Sequence, residues 1–239
     1  MDSSSDSDPP PEREPDSNGP GGDPNSPIPD SWPPVNEQQT QTVPMFPLRG
    51  VQLFPGSIMP LNIFEPRYRA MVEDLLDSAG RLVLATAMEE DKDEMSGAPR
   101  VHPVAGLGEI GKHVRLPDGR FLIWLIGLGR VRLQEVESDK LYRRVEAEPL
   151  EEVAVPSGMR SSLEGKLKEA IRERWDGELQ LPENLPAEFL TDLLLQKLDL
   201  DSDEMLELFS EPVVIRRAEG ALALHETRPI VEEDDEDEA

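Results

Sequence analysis

Residues 106–127 read GLGEIGKHVRLPDGRFLIWLIG, and this stretch decides the fold of the central part of the chain. Its middle, Leu116-Pro117-Asp118-Gly119-Arg120, has the composition of a tight turn, because proline presets one backbone dihedral and glycine accepts a positive φ. The flanking residues 106–116 and 120–127 are therefore predicted to be two paired strands. Residues 121–126 are apolar at every position, which predicts a strand that is covered on both faces.

Short apolar runs separated by Gly and Pro predict further strands on both sides of this hairpin. They are residues 43–48, 57–63, 82–87, 131–137 and 142–150. Pro44, Pro47 and Pro60 each remove a ladder donor. The first two strands are therefore predicted to be edge strands or to be interrupted by bulges.

Helical periodicity appears once among these strands and again after residue 152. The first predicted helix begins near Pro66, and its apolar face consists of Tyr68, Met71, Val72 and Leu75. Four later helices are predicted to begin near Ser161, Pro186, Ser202 or Asp203, and Pro212. Ser161 and Glu164 have the spacing of a capping box. The later helices are predicted to form a small bundle beside the strands, in a mixed α+β fold.

Both ends of the chain have compositions typical of disorder. Residues 1–42 contain ten Pro, seven Ser and nine acidic residues, and residues 231–239 contain seven acidic residues. Such segments bury too little apolar surface to offset the entropy lost on ordering. We expect folded subdomains over residues 43–152 and 153–230, between a disordered N-terminal segment and an acidic tail.

The net charge of −26 bears on the possible partners. The first 42 residues contribute −8 and the last nine contribute −7, which leaves about −11 for the rest. Binding to a phosphate backbone depends on Lys and Arg displacing counterions. Nucleic acid is therefore not expected as a partner. No stretch has the ~20 apolar residues that span a bilayer, so no membrane association is expected either.

Two ordered motifs precede the hairpin sequence. Residues 46–56 read FPLRGVQLFPG, and residues 60–68 read PLNIFEPRY. Together with GLGEI at 106–110, LPDGR at 116–120 and GLGRV at 127–131, they resemble the N-terminal substrate-binding domain of Lon proteases. The resemblance covers about 110 residues and implies a PUA-like β-barrel followed by helices. It further implies a role in recognising unfolded or client polypeptides.

Catalytic and metal-binding patterns are weak in this sequence. It contains no cysteine, no G-x-S-x-G pentapeptide and only three scattered histidines: His102, His113 and His225. Residues 106–111 spell the dinucleotide fingerprint G-x-G-x-x-G, but the turn at 116–120 leaves no room for the helix that would hold a pyrophosphate. Asp199, Asp201 and Asp203 resemble the start of a calcium loop, yet Glu204 replaces its essential glycine, so a helix N-cap is predicted. We expect no enzyme activity, cofactor or metal.

Three residues are candidates for contacting a polypeptide. Phe54 precedes Pro55-Gly56 in a predicted loop, where an exposed aromatic ring would suit a protein-binding patch, although packing inside the barrel is equally compatible with the sequence. Arg67 and Arg69 follow Glu65 at a helix start. They are predicted either to pair with Glu65 or a strand end, or to contact a bound peptide's carboxylate or carbonyl groups.

The sequence thus predicts a cytoplasmic bacterial recognition domain that binds client polypeptides and presents them to a separate protease or chaperone. One alternative is a scaffold that docks a single stable protein partner. A less favoured alternative is an RNA-binding PUA-like domain.

Overall fold

The structure is a computed structural model that describes residues 39–88, 98–175 and 179–230. The described residues form six strands and five helices, which confirms the predicted mixed α and β composition. The strands are β1 (Gln41–Leu48), β2 (Ile58–Ile63), β3 (Arg81–Thr86), β4 (Val104–Arg115), β5 (Phe121–Val136) and β6 (Arg144–Pro149). The helices are α1 (Pro66–Leu76), α2 (Ser157–Glu173), α3 (Ala187–Leu195), α4 (Ser202–Ser210) and α5 (Val214–Thr227). The predicted disorder falls mainly on residues 1–38 and 231–239, which lie outside the described residues.

The six strands belong to one sheet in the order β2-β5-β4-β3-β1-β6. β5 also pairs with β6, so five of the strands form a ring of pairings while β2 is attached only to β5. The pairing of β1 with β3 is parallel, and the others are antiparallel.

A single long strand, β5, replaces the two strands predicted at 120–127 and 131–137. Its first half pairs with β2 and its second half with β6. The prediction leaves residues 128–130 between the two strands, but β5 continues through them. Gly127 instead lies where the loop before β2 presses against the sheet, so this glycine serves close packing and not a turn.

The prolines have different settings in the first two strands. Pro60 lies in β2, which is an edge strand as predicted. β1 is not an edge strand, so that part of the prediction is wrong. Its residues 41–44 pair with β6 and its residues 45–48 pair with β3. β1 therefore changes partner between Pro44 and Pro47.

Helix α1 has the face that the sequence predicts. Tyr68, Met71, Val72 and Leu75 are buried and pack with side chains of the surrounding strands in one core cluster. The ring of Tyr68 meets that of Phe46 edge-on, with 4.5 Å between the centroids. The burial of these side chains fixes α1 against the sheet.

Helices α2, α3 and α5 share a second core cluster with part of α4. The predicted apolar residues Leu167, Ala170 and Ile171 of α2 are buried there, and α3 is buried along almost its whole length. Phe54 and Val104 belong to the same cluster. Helices α2–α5 thus pack in one cluster with a few residues of the strand region.

Helix starts are predicted less well than helix faces. The capping box at Ser161 and Glu164 is wrong, because α2 begins four residues earlier, at Ser157, with Pro156 at the N-cap. A capping box does occur in α4. There the Asp201 carboxylate accepts hydrogen bonds from the backbone N–H groups of Asp203 and Glu204, at 3.0 and 2.9 Å. This confirms the predicted N-cap in the acidic stretch.

The loop between β1 and β2 lies directly on two glycines of the sheet. A Cβ atom on Gly106 would overlap the carbonyl oxygen of Leu53, and one on Gly127 would overlap that of Phe54. Both obstacles are backbone atoms, which cannot rotate away. The absence of side chains at 106 and 127 therefore permits Leu53 and Phe54 to enter the core.

A buried group of charges connects the strands to the helices. Arg130 of β5 is paired with Asp192 of α3, and both side chains are buried. Glu152 accepts from Arg130 Nη1 at 2.7 Å and lies 2.9 Å from Nη1 of Arg217, which is fully buried in α5. Arg130 also lies over the ring of Phe209, 5.0 Å from its centroid. Charges desolvated to this degree are tolerated only when each meets an opposite charge.

Replacing Gly127 with Ala should destabilise the protein by about 1–3 kcal/mol, because the loop must shift to admit the new methyl group. Gly129→Ala is the matched control in the same strand, since a Cβ there has nothing within 4 Å. We expect the control to change the free energy of unfolding by less than about 0.5 kcal/mol. Urea denaturation followed by circular dichroism measures both; equal effects would contradict the packing role of Gly127.

Replacing Asp192 with Asn should cost about 3–5 kcal/mol, since it leaves Arg130 and Arg217 buried without a full countercharge. Glu109→Gln breaks the more exposed pair with Arg81, whose atoms are 2.9 Å apart, and should cost no more than about 1 kcal/mol. The same urea measurement compares them. Similar losses of unfolding free energy in both variants would contradict the larger stabilising role of the buried charges.

Candidate functional site

The outer face of the β4–β5 hairpin carries apolar side chains that the core does not cover. Along β5, Phe121, Ile123 and Leu125 are buried, whereas Leu122, Trp124 and Ile126 are only partly buried. The latter three belong to none of the three core clusters found in the described residues. The prediction that this strand is covered on both faces is therefore wrong.

Neighbouring strands extend this apolar surface. Directly paired residues lie on the same face of a sheet. In β2, Ile58 pairs with Ile126 and Pro60 with Trp124, while Val114 of β4 pairs with Leu122. Ile58 is 42% exposed and Val114 is 40% exposed. We call this surface the hairpin face; it consists of Ile58, Pro60, Val114, Leu122, Trp124 and Ile126.

A bulge in β4 determines which residues complete the hairpin face. The register shifts between Ile110 and Lys112, so that Ile110 pairs with Leu125 and Lys112 with Trp124. Gly111 is the extra residue. If Gly111 paired with Trp124 in a regular register, Lys112 and Val114 would lie on the inner side of the sheet. Lys112 instead lies on the outer side, at the β4 side of the hairpin face, with its Nζ atom 5.0 Å from the centroid of the Trp124 ring.

Phe54 does not lie on the surface. Its side chain is 3% exposed and meets the ring of Phe209 edge-on, with 5.1 Å between the centroids. Packing in the core, the alternative that the sequence left open, therefore describes this residue. A buried ring of this kind does not contact a partner directly.

Arg67 and Arg69 are partly exposed in the first turn of α1. Arg67 pairs with Glu65 at 3.0 Å and lies over the ring of Tyr68, 4.5 Å from its centroid. The guanidinium of Arg69 lies against Gly119 in the turn between β4 and β5. Both arginines thus have the local structural contacts that the sequence allowed. Phe64, which follows β2, is 62% exposed in the same region of the chain.

An open cleft of about 910 Å³ lies beside Arg67, lined chiefly by residues 135–143 of the β5–β6 connection. Two of its lining residues, Tyr142 and Lys140, contact α1: the Tyr142 hydroxyl donates to the Asp74 carboxylate at 2.7 Å, and Lys140 Nζ donates to the same oxygen at 3.0 Å. Burial and the Asp74 carboxylate raise the pKa of Tyr142 to about 12. The hydrogen bonds from Tyr142 and Lys140 lower the pKa of Asp74. These contacts attach the connection to α1.

The weaker sequence motifs lie in ordinary structural positions. The G-x-G-x-x-G residues lie inside β4, as the alternative reading of that motif predicts. His113 lies in β4 and His225 in α5, where Arg174 Nε donates to His225 Nδ1 at 2.8 Å. Within residues 39–88, 98–175 and 179–230, no group of three or more His, Asp or Glu side chains is arranged to hold a metal ion. Over the same ranges, no helix has the length and apolar character needed to cross a membrane.

Known structures share this fold. A Lon N-terminal domain protein from Xanthomonas campestris superposes with a TM-score of 0.56 at 22% identity. The match covers 77% of this chain and 98% of that protein. The N-terminal domain of the Lon protease of the Mycobacterium avium complex superposes with a TM-score of 0.58 at 17% identity. The match covers 78% of this chain and 98% of that domain. The fold is therefore that of a Lon N-terminal domain.

The sequence comparisons identify the family. The family described as the ATP-dependent protease La (LON) substrate-binding domain matches residues 42–224. Lon protease 2 of Sorangium cellulosum is 34% identical over 168 residues, which are 70% of this chain and 20% of the relative. The Lon protease of Escherichia coli K12 is 26% identical over 151 residues, which are 63% of this chain and 19% of that protease. The chain belongs to the LON substrate-binding domain family, and it spans about a fifth of the length of these relatives.

The hairpin face is the feature that sequence reasoning missed. The signal was present, because residues 121–126 are apolar on both faces of one strand. Such a pattern predicts either a second covering layer or a surface kept for a partner. The structure is needed to decide between these two. The strand pairing shows which side chains share the outer face, and the core clusters of the described residues do not include them.

Tyrosine titration tests the contacts in the cleft, since the chain has only two tyrosines. Burial also raises the pKa of Tyr68. Both folded-state values exceed the value of about 10 expected in the unfolded chain, so this contribution to stability is full below pH ~10 and is lost as the pH rises. We expect tyrosinate absorbance to show Tyr142 ionising near pH 12 while circular dichroism still reports a folded protein.

Two variants assign this ionisation. Tyr142→Phe should remove it and leave that of Tyr68. Asp74→Asn should move it to lower pH, because the negative charge beside the phenol is gone. Ionisation of both tyrosines near pH 10 in the folded protein would contradict the described contacts.

Proposed function

We propose that this chain is a non-catalytic recognition domain that binds apolar segments of client polypeptides on the hairpin face. Membership of a substrate-binding family supports a role in recognising proteins. The observation that carries the proposal is the set of apolar side chains on three adjacent strands that pack against no core cluster of the described residues. Contiguous exposed apolar surface of this kind is typical of protein interaction sites.

The surroundings of the hairpin face suit an unfolded client. β2 is an edge strand, and Pro60 within it weakens any further strand pairing along that edge. Side-chain contacts on the face are therefore the main source of binding energy. Arg67 and Arg69, at the start of α1, remain proposed contacts for a client's carboxylate or carbonyl groups.

In the wider proposal, clients bound here pass to a separate protease or chaperone in the cytoplasm. We further propose that the ring of strand pairings is the PUA-like barrel of the family and that α2–α5 form its helical bundle, with subdomains over residues 43–152 and 153–230. The region matched in the Lon relatives is a substrate-binding domain, and this supports a role in recognising polypeptides.

A scaffold for one folded partner is the second candidate function. The same apolar face supports it, since stable partners also bury such surfaces. Affinity for native against unfolded forms of one protein distinguishes the two functions. RNA binding is less favoured, because the net charge of about −11 outside the two ends repels phosphates.

Binding of a fluorescent, reduced and carboxymethylated lactalbumin tests the proposal by anisotropy. Ile58→Ser and Trp124→Ser should each weaken binding by roughly tenfold or more, because each removes about 1.5–3 kcal/mol of apolar burial. Met159→Ser is the matched control, since Met159 is 49% exposed and lies outside the hairpin face. It should bind as the unchanged protein does.

Circular dichroism and urea denaturation first establish that each variant folds. Binding that is equal in the face variants and the control would contradict the proposal. Tighter binding of native than of carboxymethylated lactalbumin would favour the scaffold function instead.

A further inference from the structure

Lys112 lies in the middle row of the hairpin face, on its β4 side, where β4 pairs only with β5. Its side chain is exposed, and its ammonium contacts the ring of Trp124. Other cations of the hairpin pair with carboxylates: Arg115 lies 3.0 Å from Glu73, and Arg120 lies 2.7 Å from Asp118. Among the described residues, Lys112 makes no ion pair. Its charge is therefore available to a partner.

A partner that covers the hairpin face must also remove water from this ammonium. An ammonium buried without a countercharge costs several kcal/mol, whereas a carboxylate placed beside it restores most of the lost interaction. The Trp124 ring compensates only in part, because a cation–π contact is weaker than a charge-assisted hydrogen bond. The cost thus depends on whether the client supplies an acid.

The strand register gives the spacing of such a client. The middle row of the face consists of Pro60, Trp124 and Lys112. The row on one side holds Leu122 and Val114. The row on the other side holds Ile58, Ile126 and Glu109, whose carboxylate is already paired with Arg81 at 2.9 Å. Rows two residues apart along a strand are separated by roughly 6.5–7 Å. An extended peptide repeats its side chains at the same interval. A client lying along β5 would therefore place alternate side chains over successive rows.

We infer that the hairpin face selects extended apolar segments that carry an acidic residue, with the order apolar-x-acidic-x-apolar, and that the acidic side chain pairs with Lys112. This inference rests on the proposed function and adds the chemistry of the client. The Gly111 bulge brings that lysine to the outer side.

Fluorescein-labelled peptides test the inference. Three peptides share a leucine-x-variable-x-leucine centre with Glu, Gln or Lys at the variable position, and anisotropy gives their affinities. The unchanged protein should prefer the Glu peptide over the Lys peptide by on the order of tenfold to a hundredfold. Lys112→Gln should remove most of this preference, and Lys112→Glu should reverse it in favour of the Lys peptide.

Lys166→Glu is the control for general electrostatics. It changes the net charge as Lys112→Glu does, but Lys166 is an exposed residue of α2 outside the hairpin face. It should leave the preference for Glu unchanged. Equal shifts for both lysine variants would overturn the inference, because a long-range field would then account for the effect.

The failures of the two proposals are distinguishable. If Trp124→Ser weakens all three peptides while the Lys112 variants leave the order of affinities unchanged, the face binds clients without selecting acids and only this inference is wrong. If the unchanged protein binds none of the peptides and does not bind carboxymethylated lactalbumin either, the proposed function itself is overturned.

Discussion

The buried guanidinium of Arg130 is the contact on which the arrangement of strands and helices depends. It extends from β5 to Asp192 of α3 and Glu152 after β6, and it lies over Phe209 of α4. Arg217 of α5 joins the same carboxylates. Hydrophobic packing alone would allow the helices to slide on the sheet, since it is not directional. Paired charges with fixed hydrogen-bond directions restrict them to one position.

The position of the helices also determines which part of β5 they cover. Phe54 contacts the ring of Phe209, and its loop presses on Gly106 and Gly127 of the sheet. The strand is thus held by the loop and helices near its middle, where Gly127 and Arg130 lie. Its first half, residues 121–126, has the α1 core on one side only. The hairpin face lies on the other side of this half, where β5 is paired with β2 and β4.

The sequence predicted the features that depend on local pattern. The turn at 116–120, the buried face of α1 and the apolar stripe of α2 are all confirmed, because each follows from residues close together in the chain. The errors concern long-range packing. Glycines that admit a loop look like glycines that end a strand, so β5 was divided in two. The pairing of Arg130 with Asp192 joins residues 62 positions apart, and no local pattern predicts it.

The hairpin face shows the same limit from the functional side. An apolar strand reads alike whether its outer side chains meet another layer or a partner molecule. The decisive information is the register, in which one extra glycine in β4 exchanges the sides of every residue from Lys112 to Arg115. Arg115 consequently lies over the Phe121 ring, at 5.4 Å from its centroid, and Lys112 lies over Trp124 on the other side. A bulge of one residue therefore places the Lys112 ammonium beside the apolar side chains of Trp124 and its neighbours, and the proposed selection of clients depends on this combination.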